Sequence, residues 1–555
     1  MVEKAAADTG LDPITLAVLA GRLEQIADEM DATLFRSAFN PTIAEARDAS
    51  HGLYDAATGD TLVQGKAGLP IFVGVMAFAV RAVITAATGD PLVDGDLFIF
   101  NDPYDGGTHL SDFKLVRPYF RNGRLFCHLA SVGHWHDVGG NVPGNYNPAA
   151  TECFQEGVLI PPVRLDRAGV RQNDVLAIIT ANSRLPQTAF GDLSGQVAAL
   201  DLGARRLDAL LDEYGEDAVA LCFTALRTRA ERMMRAHIAE LPDGCYSAED
   251  FLDNDGTSPE ALRIAVDITV AGNQLTLDFS RSAHACAGPV NISRATAIAS
   301  IYVALKHVFP DVPANAGVLA PVAIAIPEGS LLAARKPRPV GGYTETILRI
   351  IDVIFAALSY AAPEAVPAPA YGTINALSIA GHRDDGRRWV MFSFFGGGHG
   401  GHAEGDGLNH GNAPISTATI PPVEILEAAF PVLFRRWALR PGSGGAGRHR
   451  GGLGAIYEIE LLADDAEVFL FGERGRFPPP GILGGEAAAP NRFTIVRGAT
   501  REHPALFFKL VGAHIARGDR LILETPGGGG YGPPAERQPS AHTHDQALGY
   551  LDNAP

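Results

Sequence analysis

Hydrophobic positions near the start of the chain recur every three or four residues, which predicts a long amphipathic helix. They are Leu16, Leu19, Leu23, Ile26, Met30 and Leu34. Asp12 is placed to cap this helix, and Pro13 suits its first turn. An apolar stripe of this kind packs against a core.

Later stretches show either the helical period or the strand period. Helical spacing predicts three more helices, over about 201–214, 217–241 and 344–361. Apolar residues alternate strictly over 264–270 and 275–279, on either side of Ala271-Gly272-Asn273, which predicts a β-hairpin. Short apolar runs predict strands over 97–100 and 125–132. The mixture of the two periods predicts an α+β fold.

The length of the chain indicates several domains, because 555 residues exceed what one core usually contains. We predict four regions along the α+β multidomain chain. They are a mixed α/β metal-binding region over 1–200, a helical and β-hairpin region over 201–380, a β-rich and glycine-rich region over 381–537, and a flexible tail over 538–555.

Charge and composition narrow the range of partners and compartments. A net charge of −18 repels nucleic acids and anionic membranes, so neither is expected as a partner. The most apolar window, 72–80, is interrupted by Arg81 and falls short of the roughly 20 residues that a membrane helix needs. The N-terminus lacks the pattern of a secretory signal. Five dispersed cysteines without a CxxC pair favour reduced thiols, and we expect a cytoplasmic protein.

Residues with metal-ligand chemistry lie in three stretches of the first quarter. These are Glu45-Ala-Arg-Asp48, Asn101-Asp-Pro-Tyr-Asp-Gly-Gly-Thr-His-Leu-Ser-Asp112 and His134-Trp-His136-Asp137. His109 and Asp112 are three residues apart, so one turn lets both point at the same ion. Imidazoles and carboxylates without a thiolate suit zinc, manganese or iron. Such an ion acidifies water and polarises a carbonyl group. Spacing alone leaves open that these are hydrogen-bonded polar residues in turns.

Glycine-rich loops in the last third offer a second kind of site. The loop over 442–454 combines backbone N–H groups with Arg448 and Arg450, which favours a phosphate or carboxylate ligand. The alternative is a turn-rich connection between strands. His399 and His402 lie among glycines, where a second metal site competes with close backbone packing. No GxxxxGK[ST] motif occurs in the chain, so ATP chemistry would need another chain.

Several stretches resemble the hydantoinase B/5-oxoprolinase family, and they follow one another along almost the whole chain. They are 101–112, Ala150-Thr-Glu-Cys-Phe-Gln-Glu-Gly157, Asp253-Asn-Asp-Gly256, Gly288-Pro-Val-Asn291, Pro422-Val-Glu-Ile-Leu-Glu427, 443–454 and 525–532. Two stretches depart from the family pattern. They are Met391-Phe-Ser-Phe-Phe, where an acidic residue is common, and the segment 412–419. Both departures lie outside the expected metal ligands, so they bear on the identity of the substrate more than on metal binding.

The resemblance implies a B-type subunit of an ATP-dependent cyclic-amide hydrolase. In such enzymes an A-type subunit uses ATP to phosphorylate the carbonyl oxygen of the substrate, so we expect a hetero-oligomer. The resemblance places the metal ligands at Asp48, His109, Asp112 and His134. His136 and Asp137 are weaker candidates, either for orienting a metal ligand or for transferring a proton. Water attack is the simplest mechanism, because no nucleophile motif is legible in the sequence.

Two other functions remain open at this stage. One is a carboxylase subunit of the acetone or acetophenone carboxylase type, in which a metal stabilises an enolate. The other is a scaffold subunit that binds metal for stability and has no catalysis of its own.

Overall fold

The first helix of the protein is the one that the hydrophobic spacing predicts. The computed structural model describes residues 11–383, 385–416 and 419–551. Helix α1 (Pro13–Ser37) buries the predicted stripe. Oδ1 of Asp12 accepts hydrogen bonds from the backbone N–H groups of Ile14 and Thr15, at 3.0 Å each, so Asp12 is the N-cap.

The first part of the chain forms a seven-stranded antiparallel sheet. Its strands are β1 (Ala49–Asp55), β2 (Thr61–Gln64), β3 (Leu97–Phe100), β4 (Asp112–Arg121), β5 (Arg124–His134), β6 (Val163–Arg167) and β7 (Val170–Arg171). They lie in the order β2-β1-β5-β4-β3-β6-β7. The strands predicted over 97–100 and 125–132 are confirmed as β3 and as part of β5.

Helices cover both faces of this sheet. They are α2 (Pro41–Ala44), α3 (Pro70–Ala86), α4 (Asn173–Ala181), α5 (Pro186–Tyr214) and α6 (Glu216–Glu240). One face packs with α1 and α5 around a core that includes Leu129, and the other packs with α3 around a core that includes Val132. Successive side chains of β5 point to opposite faces, and this alternation separates the two cores. Helix α5 begins fifteen residues before the predicted 201, because Gly191, Asp192, Gly195 and Gln196 obscure its apolar period.

One helical stretch, Pro70–Gly89, is long and apolar enough to cross a membrane, with a mean hydropathy of 2.0. The prediction that no segment approaches this length is therefore wrong. Arg81 does not interrupt the helix, because its guanidinium group lies at the side and binds Asp60 at 2.5 Å and the Thr58 carbonyl at 3.0 Å. Within the protein, 56% of the stretch is buried, as in a core helix.

The middle of the chain forms a second sheet covered by two helices. Its strands are β8 (Gly244–Leu252), β9 (Leu262–Ala271), β10 (Gln274–Asp278) and β11 (Val322–Ala325), in the order β11-β10-β9-β8. The β9–β10 pair is the predicted hairpin, and Val270 lies opposite Leu275. Helices α7 (Arg294–Val308) and α8 (Tyr343–Leu358) join this sheet to α3. Ala299 of α7 lies so close to Gly74 that a Cβ on the glycine would approach its Cα to 2.7 Å.

Up to residue 537, the last third contains two further sheets and one short α-helix among the described residues. The new strands are β12 (Ala376–His382), β13 (Arg388–Ser393), β14 (Val432–Leu439), β15 (Ala455–Leu461), β16 (Asp465–Phe471), β17 (Arg492–Arg497), β18 (Thr500–Glu502), β19 (Lys509–Ala516) and β20 (Arg520–Glu524), and the helix is α9 (Val423–Ala429). The sheets have the orders β13-β12-β16-β19 and β14-β15-β20-β17-β18 and share one core. The predicted α+β multidomain class is confirmed.

The segment predicted as a flexible tail instead contains an anchored helix, α10 (Pro539–Ala547). Asp545 is buried and accepts a hydrogen bond from Arg537 at 2.6 Å. The carbonyl of Tyr550 accepts from the backbone N–H of Gly442 at 2.8 Å. The proline, histidine and serine content suggested a tail, but specific polar contacts hold its described residues against the glycine-rich loops.

Candidate metal centre

Sheet register brings two of the predicted ligands together. Asp112 is the first residue of β4 and His134 is the last residue of β5, and the two are direct partners across the antiparallel pair. Residues opposite each other in such a pair have neighbouring side chains. The turn before β4 places His109 on the same side, and all three side chains are buried.

The three donor atoms form a nearly equilateral triangle. Nε2 of His109 lies 3.1 Å from Oδ1 of Asp112 and 3.2 Å from Nδ1 of His134, and that nitrogen lies 3.2 Å from the same oxygen. Two ligands of one tetrahedral zinc ion, at its usual bond lengths, lie roughly 3.3 Å apart. A single proton can form a hydrogen bond between only two of the three atoms at a time. One metal ion can contact all three at once. The donor set therefore fits a divalent cation.

Neighbouring groups orient these ligands. The hydroxyl of Thr108 donates to Oδ2 of Asp112, which leaves Oδ1 to face the two imidazoles. The side-chain amide of Asn40 donates to the His134 carbonyl at 2.8 Å. Burial opposes ionisation of Asp112, but the two histidines hold its pKa well below the usual range. Such outer contacts fix ligand geometry in metal sites.

Asp48, the fourth predicted ligand, does not belong to this triangle but lies beside it. Its carbonyl accepts from the backbone N–H of His134 at 3.1 Å, and its side chain lines the same cavity as His134. Burial raises the pKa of Asp48 to about 7, an effect that His134 opposes and Asp112 reinforces. Among the described residues, His109, Asp112 and His134 are the one group of three or more such side chains whose donor atoms converge.

Aromatic residues from distant parts of the chain surround the triangle. The ring of Tyr343 lies 4.8 Å from that of His109, and the ring of Phe392 stacks on His134 at 5.5 Å. Tyr146 lies between them, 5.5 Å from His109 and 5.2 Å from Phe392. Sequence reasoning missed Tyr146 and Tyr343, which belong to no local motif, and it noted Phe392 only as part of the stretch 391–395 that departs from the family pattern.

His136 and Asp137 have partners outside the triangle. Nδ1 of His136 lies 3.2 Å from the Asn40 side chain, and Nε2 lies 2.9 Å from the carbonyl of Val390. Asp137 forms an ion pair with Arg184 at 3.0 Å and accepts from the backbone N–H of Arg184 at 2.8 Å. These contacts favour structural roles for both residues over the proton transfer that the sequence suggested.

Arg448 and Arg450 differ in their surroundings. Arg450 is buried, pairs with Asp545 at 3.4 Å and lies over the ring of Tyr550 at 5.3 Å, so helix α10 covers it. The side chain of Arg448 is 41% exposed and lies 3.7 Å from Glu536. Neither arginine lines the cavity beside His134. Arg448 remains available to an anion, whereas the contacts of Arg450 favour a structural role.

The glycines of this region allow three backbone segments to pack in direct contact. A Cβ on Gly451 would lie 1.8 Å from the carbonyl oxygen of Gly528, and one on Gly528 would lie 2.0 Å from that of His399. The Nε2 of His399 lies 2.5 Å from the carbonyl of Asn412, and burial lowers the pKa of this histidine. Close packing therefore accounts for these glycines, and the geometry gives no support to a second metal at His399 and His402.

Other signature residues hold loops rather than taking part in chemistry. Glu156 accepts from the backbone N–H groups of Val340 and Gly341, at 3.0 and 2.6 Å, just before helix α8. Asp253 accepts from three successive backbone N–H groups, those of residues 475–477. The Glu156 contacts hold the turn that leads into α8, whose first residue is Tyr343.

A buried polar chain that the sequence did not reveal runs behind the ligand-bearing strands. Oδ1 of Asp31 lies 2.7 Å from Nδ1 of His51, and Nε2 of His51 lies 2.9 Å from Oγ of Ser131. The amide of Gln196 donates to Ser131 at 3.2 Å and accepts from the indole of Trp135 at 2.9 Å. The connectivity is that of a serine hydrolase triad, but all three members are fully buried. The chain links α1, β1, β5 and α5.

Comparisons with known proteins agree with this picture. The profile of the Hydantoinase B/oxoprolinase family matches residues 12–534. The caprolactamase subunit beta of Pseudomonas jessenii is 33% identical over 95% of this chain and 92% of its own length.

Two solved structures are also similar. The crystal structure of the ATP-dependent caprolactamase from Pseudomonas jessenii has a TM-score of 0.88 at 31% identity, and the match covers 98% of this chain and 95% of that one. Nucleotide-free acetone carboxylase has a TM-score of 0.90 at 21% identity, over 98% of this chain and 78% of that one, which shows a shared fold. The chain belongs to the hydantoinase B/oxoprolinase family.

Proposed function

We propose that this chain is the metal-binding B subunit of an ATP-dependent cyclic-amide hydrolase. The observation that carries the proposal is the convergence of His109, Asp112 and His134 on one point, in a chain that aligns almost end to end with a caprolactamase beta subunit. A partner A-type subunit would use ATP to phosphorylate the amide carbonyl oxygen, and the B subunit would complete the ring opening with water.

In this proposal the three residues hold one divalent ion, zinc or manganese or iron, and Asp48 lies next to it as a further carboxylate. A bound ion of this kind polarises a carbonyl group and acidifies water. Tyr146 and Tyr343 stay protonated at neutral pH, because burial and the nearby carboxylates raise their pKa values well above 10. Each phenol is therefore a hydrogen-bond donor for a substrate oxygen.

Arg448 is the proposed contact for the phosphate of the activated substrate or of the partner's product. Its side chain is partly exposed, and its Nε is a buried donor without a hydrogen-bond partner. Guanidinium groups bind phosphate oxygens through forked donors. Arg450 is the weaker candidate, because its guanidinium group already forms an ion pair with Asp545 and lies over the ring of Tyr550.

The proposal is tested with the chain alone and in complex with its A-type partner. The isolated chain should bind about one divalent ion and should show no saturable ATP binding by calorimetry. The complex should open a lactam ring only when ATP is present, and His109→Ala in the B subunit should abolish that turnover. ATP binding to the isolated chain, or full turnover by His109→Ala, would overturn the proposal.

A carboxylase subunit is the second candidate, because the fold matches acetone carboxylase at a TM-score of 0.90. The two candidates differ in their co-substrate. A carboxylase consumes bicarbonate together with a ketone, whereas the ATP-dependent hydrolase uses water in place of bicarbonate. Incorporation of labelled bicarbonate into product, with no ring opening of any lactam, would decide for the carboxylase. A scaffold without catalysis would keep the activity of the complex intact when His109 is replaced.

A further inference from the structure

A second cavity, larger than the one at the metal centre, lies between helices α1, α3, α6 and α7 and strand β2. Its volume is about 770 Å³, which is within the range of small-molecule sites, roughly 300–1,000 Å³. Pro70 and Val73 line this cavity, whereas their neighbours Leu69 and Ile71 line the cavity beside His134. The two cavities therefore lie on different sides of the first turn of α3, and their walls share no residue.

Polar side chains of both charges line this second cavity. They are Glu24, Gln64, Lys66, Arg229, Tyr302, Lys306, His307, Asp311 and Asn315. Most of them have partners within the protein. Glu24 pairs with Lys66 at 2.9 Å, and Asp311 lies 2.9 Å from Nε2 of His237. Backbone carbonyl groups accept hydrogen bonds from Lys306, His307 and Asn315.

Three buried polar atoms of this wall have no hydrogen-bond partner among the described residues. They are Oε1 of Gln64, Nε of Arg229 and Oη of Tyr302. Tyr302 is 6% exposed, and burial raises the pKa of its phenol, which therefore stays protonated at neutral pH. Arg229 and Tyr302 each offer a donor, and Gln64 offers an acceptor. Buried polar groups without partners are unfavourable and uncommon, so a polar ligand would gain hydrogen bonds in this cavity.

The charge of Arg229 is available to an anion. Arg227 and Arg235 of the same helix pair with Asp60 and Glu231, whereas no carboxylate of the described residues pairs with Arg229. A guanidinium group beside a phenol suits a carboxylate, because both donate to its oxygens. Much of the remaining wall is hydrocarbon, which favours an aliphatic body. It includes Leu62, Val63, Val73, Leu226, Val303 and Val312.

We propose that this cavity binds an aliphatic amino carboxylate. The carboxylate pairs with Arg229 and accepts from Tyr302, the methylene groups pack on the hydrocarbon wall, and the amino group donates to Gln64. Opening of a lactam ring releases a molecule of this class. The choice of 6-aminohexanoate as the ligand therefore rests on the proposed function, whereas the site itself lies outside the metal centre.

The test measures binding of 6-aminohexanoate to the full chain loaded with Mn²⁺ by calorimetry. Hexylamine lacks the carboxylate and should bind about 10-fold more weakly or worse, the scale of a hydrogen bond to a charged group. Hexanoate lacks the amino group and should also bind more weakly. The absence of saturable binding would overturn the proposal, and so would binding of either truncated compound as tightly as 6-aminohexanoate.

Variants locate the ligand in this cavity. Arg229→Gln should weaken binding of 6-aminohexanoate by about 10-fold or more. Tyr302→Phe removes one hydroxyl group, should also weaken binding, and covers the case in which Arg229→Gln does not fold. Arg232→Gln is the matched control, because Arg232 lies on the same helix but does not line the cavity.

His109→Ala should bind 6-aminohexanoate with unchanged affinity, since it alters the metal centre and not this cavity. Loss of binding in His109→Ala, with binding retained in Arg229→Gln and Tyr302→Phe, would place the ligand at the metal and overturn the proposal. Failure of the proposed function would look different. The complex would then open no lactam, while the chain would still bind 6-aminohexanoate in a manner that depends on Arg229.

Discussion

Asp112 and His134 are partners across strands β4 and β5, and Oδ1 of the first lies 3.2 Å from Nδ1 of the second. The register of the sheet sets this distance, and the turn that carries His109 completes the triangle. A ligand set built on two paired strands is held rigidly. Metal affinity should therefore depend on these side chains more than on the loops around them.

Replacement of one ligand should remove the metal and leave the fold intact. His109→Ala should reduce the metal content from about one ion per chain to nearly none, because two protein ligands hold zinc poorly. The measurement is elemental analysis of the purified protein beside its circular dichroism spectrum. His128→Ala is the matched control, since His128 is also buried on β5 but bonds the Ala56 carbonyl. Equal metal content in the two variants would contradict the assignment.

The hydroxyl of Thr108 is not a metal ligand, but it should affect the affinity of the centre for its metal. Thr108→Val removes the donor that holds Oδ2 of Asp112 and should weaken metal affinity by roughly 10- to 100-fold. A competition titration with a chelating dye measures the change. Thr346→Val removes a hydroxyl of similar burial, one that donates to the Val290 carbonyl, and should leave metal affinity unchanged.

Glu156 should make the stability of the fold depend on pH. Burial raises its pKa from 4.5 to about 8, although the backbone N–H groups of Val340 and Gly341 lower it. The folded state therefore holds the proton more tightly than the unfolded chain, and the resulting stabilisation is complete below about pH 4.5 and is lost as the pH rises through 8. Glu156→Gln removes the ionisable proton but turns one of the two accepting oxygens into an NH₂ donor, so the variant serves to compare the pH dependence of stability and not its absolute value.

The melting temperature of the unmodified protein should fall relative to that of Glu156→Gln between about pH 5 and pH 9. Scanning calorimetry across this range gives the comparison. Glu213→Gln is the control, because its side chain is 51% exposed and should leave the pH profile unchanged. Parallel profiles for the protein and the Glu156 variant would show that the carboxyl is ionised throughout.

Replacing each arginine of the glycine-rich loop should change a different property: the stability of the fold for Arg450 and the turnover of the complex for Arg448. Arg450→Ala leaves the buried Asp545 with Arg537 alone and should cost about 1–3 kcal/mol of unfolding free energy. Arg448→Ala should hardly change stability, because its partner Glu536 is 53% exposed. It should reduce coupled turnover if it holds phosphate.

Thermal melts and turnover at saturating partner concentration distinguish these roles. Full turnover by Arg448→Ala would end the phosphate proposal. An unchanged melting temperature for Arg450→Ala would mean that α10 does not depend on this contact.

The sequence by itself determined the features that depend on local periodicity and on residue chemistry. The stripe from Leu16 to Leu34 specifies α1, and strict alternation specifies the β9–β10 hairpin, because each pattern buries one face of one kind of element. The ordered signature stretches indicated the family. The chemistry of His109, Asp112 and His134 made them candidate ligands, but spacing alone also allowed hydrogen-bonded turns, and only the family resemblance assigned them, together with Asp48, to a metal.

Only the tertiary structure decided which of these residues share a site. His136 and Asp137 have the same chemistry as the triangle, but loop packing gives them other partners, whereas Asp48 lies beside the triangle in the same cavity. Tyr146 and Tyr343 carry no local signal, and the stretch that contains Phe392 showed only a departure from the family pattern, since the three rings meet only when a loop, a helix and a distant strand pack together. Side-chain type sets what a residue can bind, and long-range packing sets what it faces.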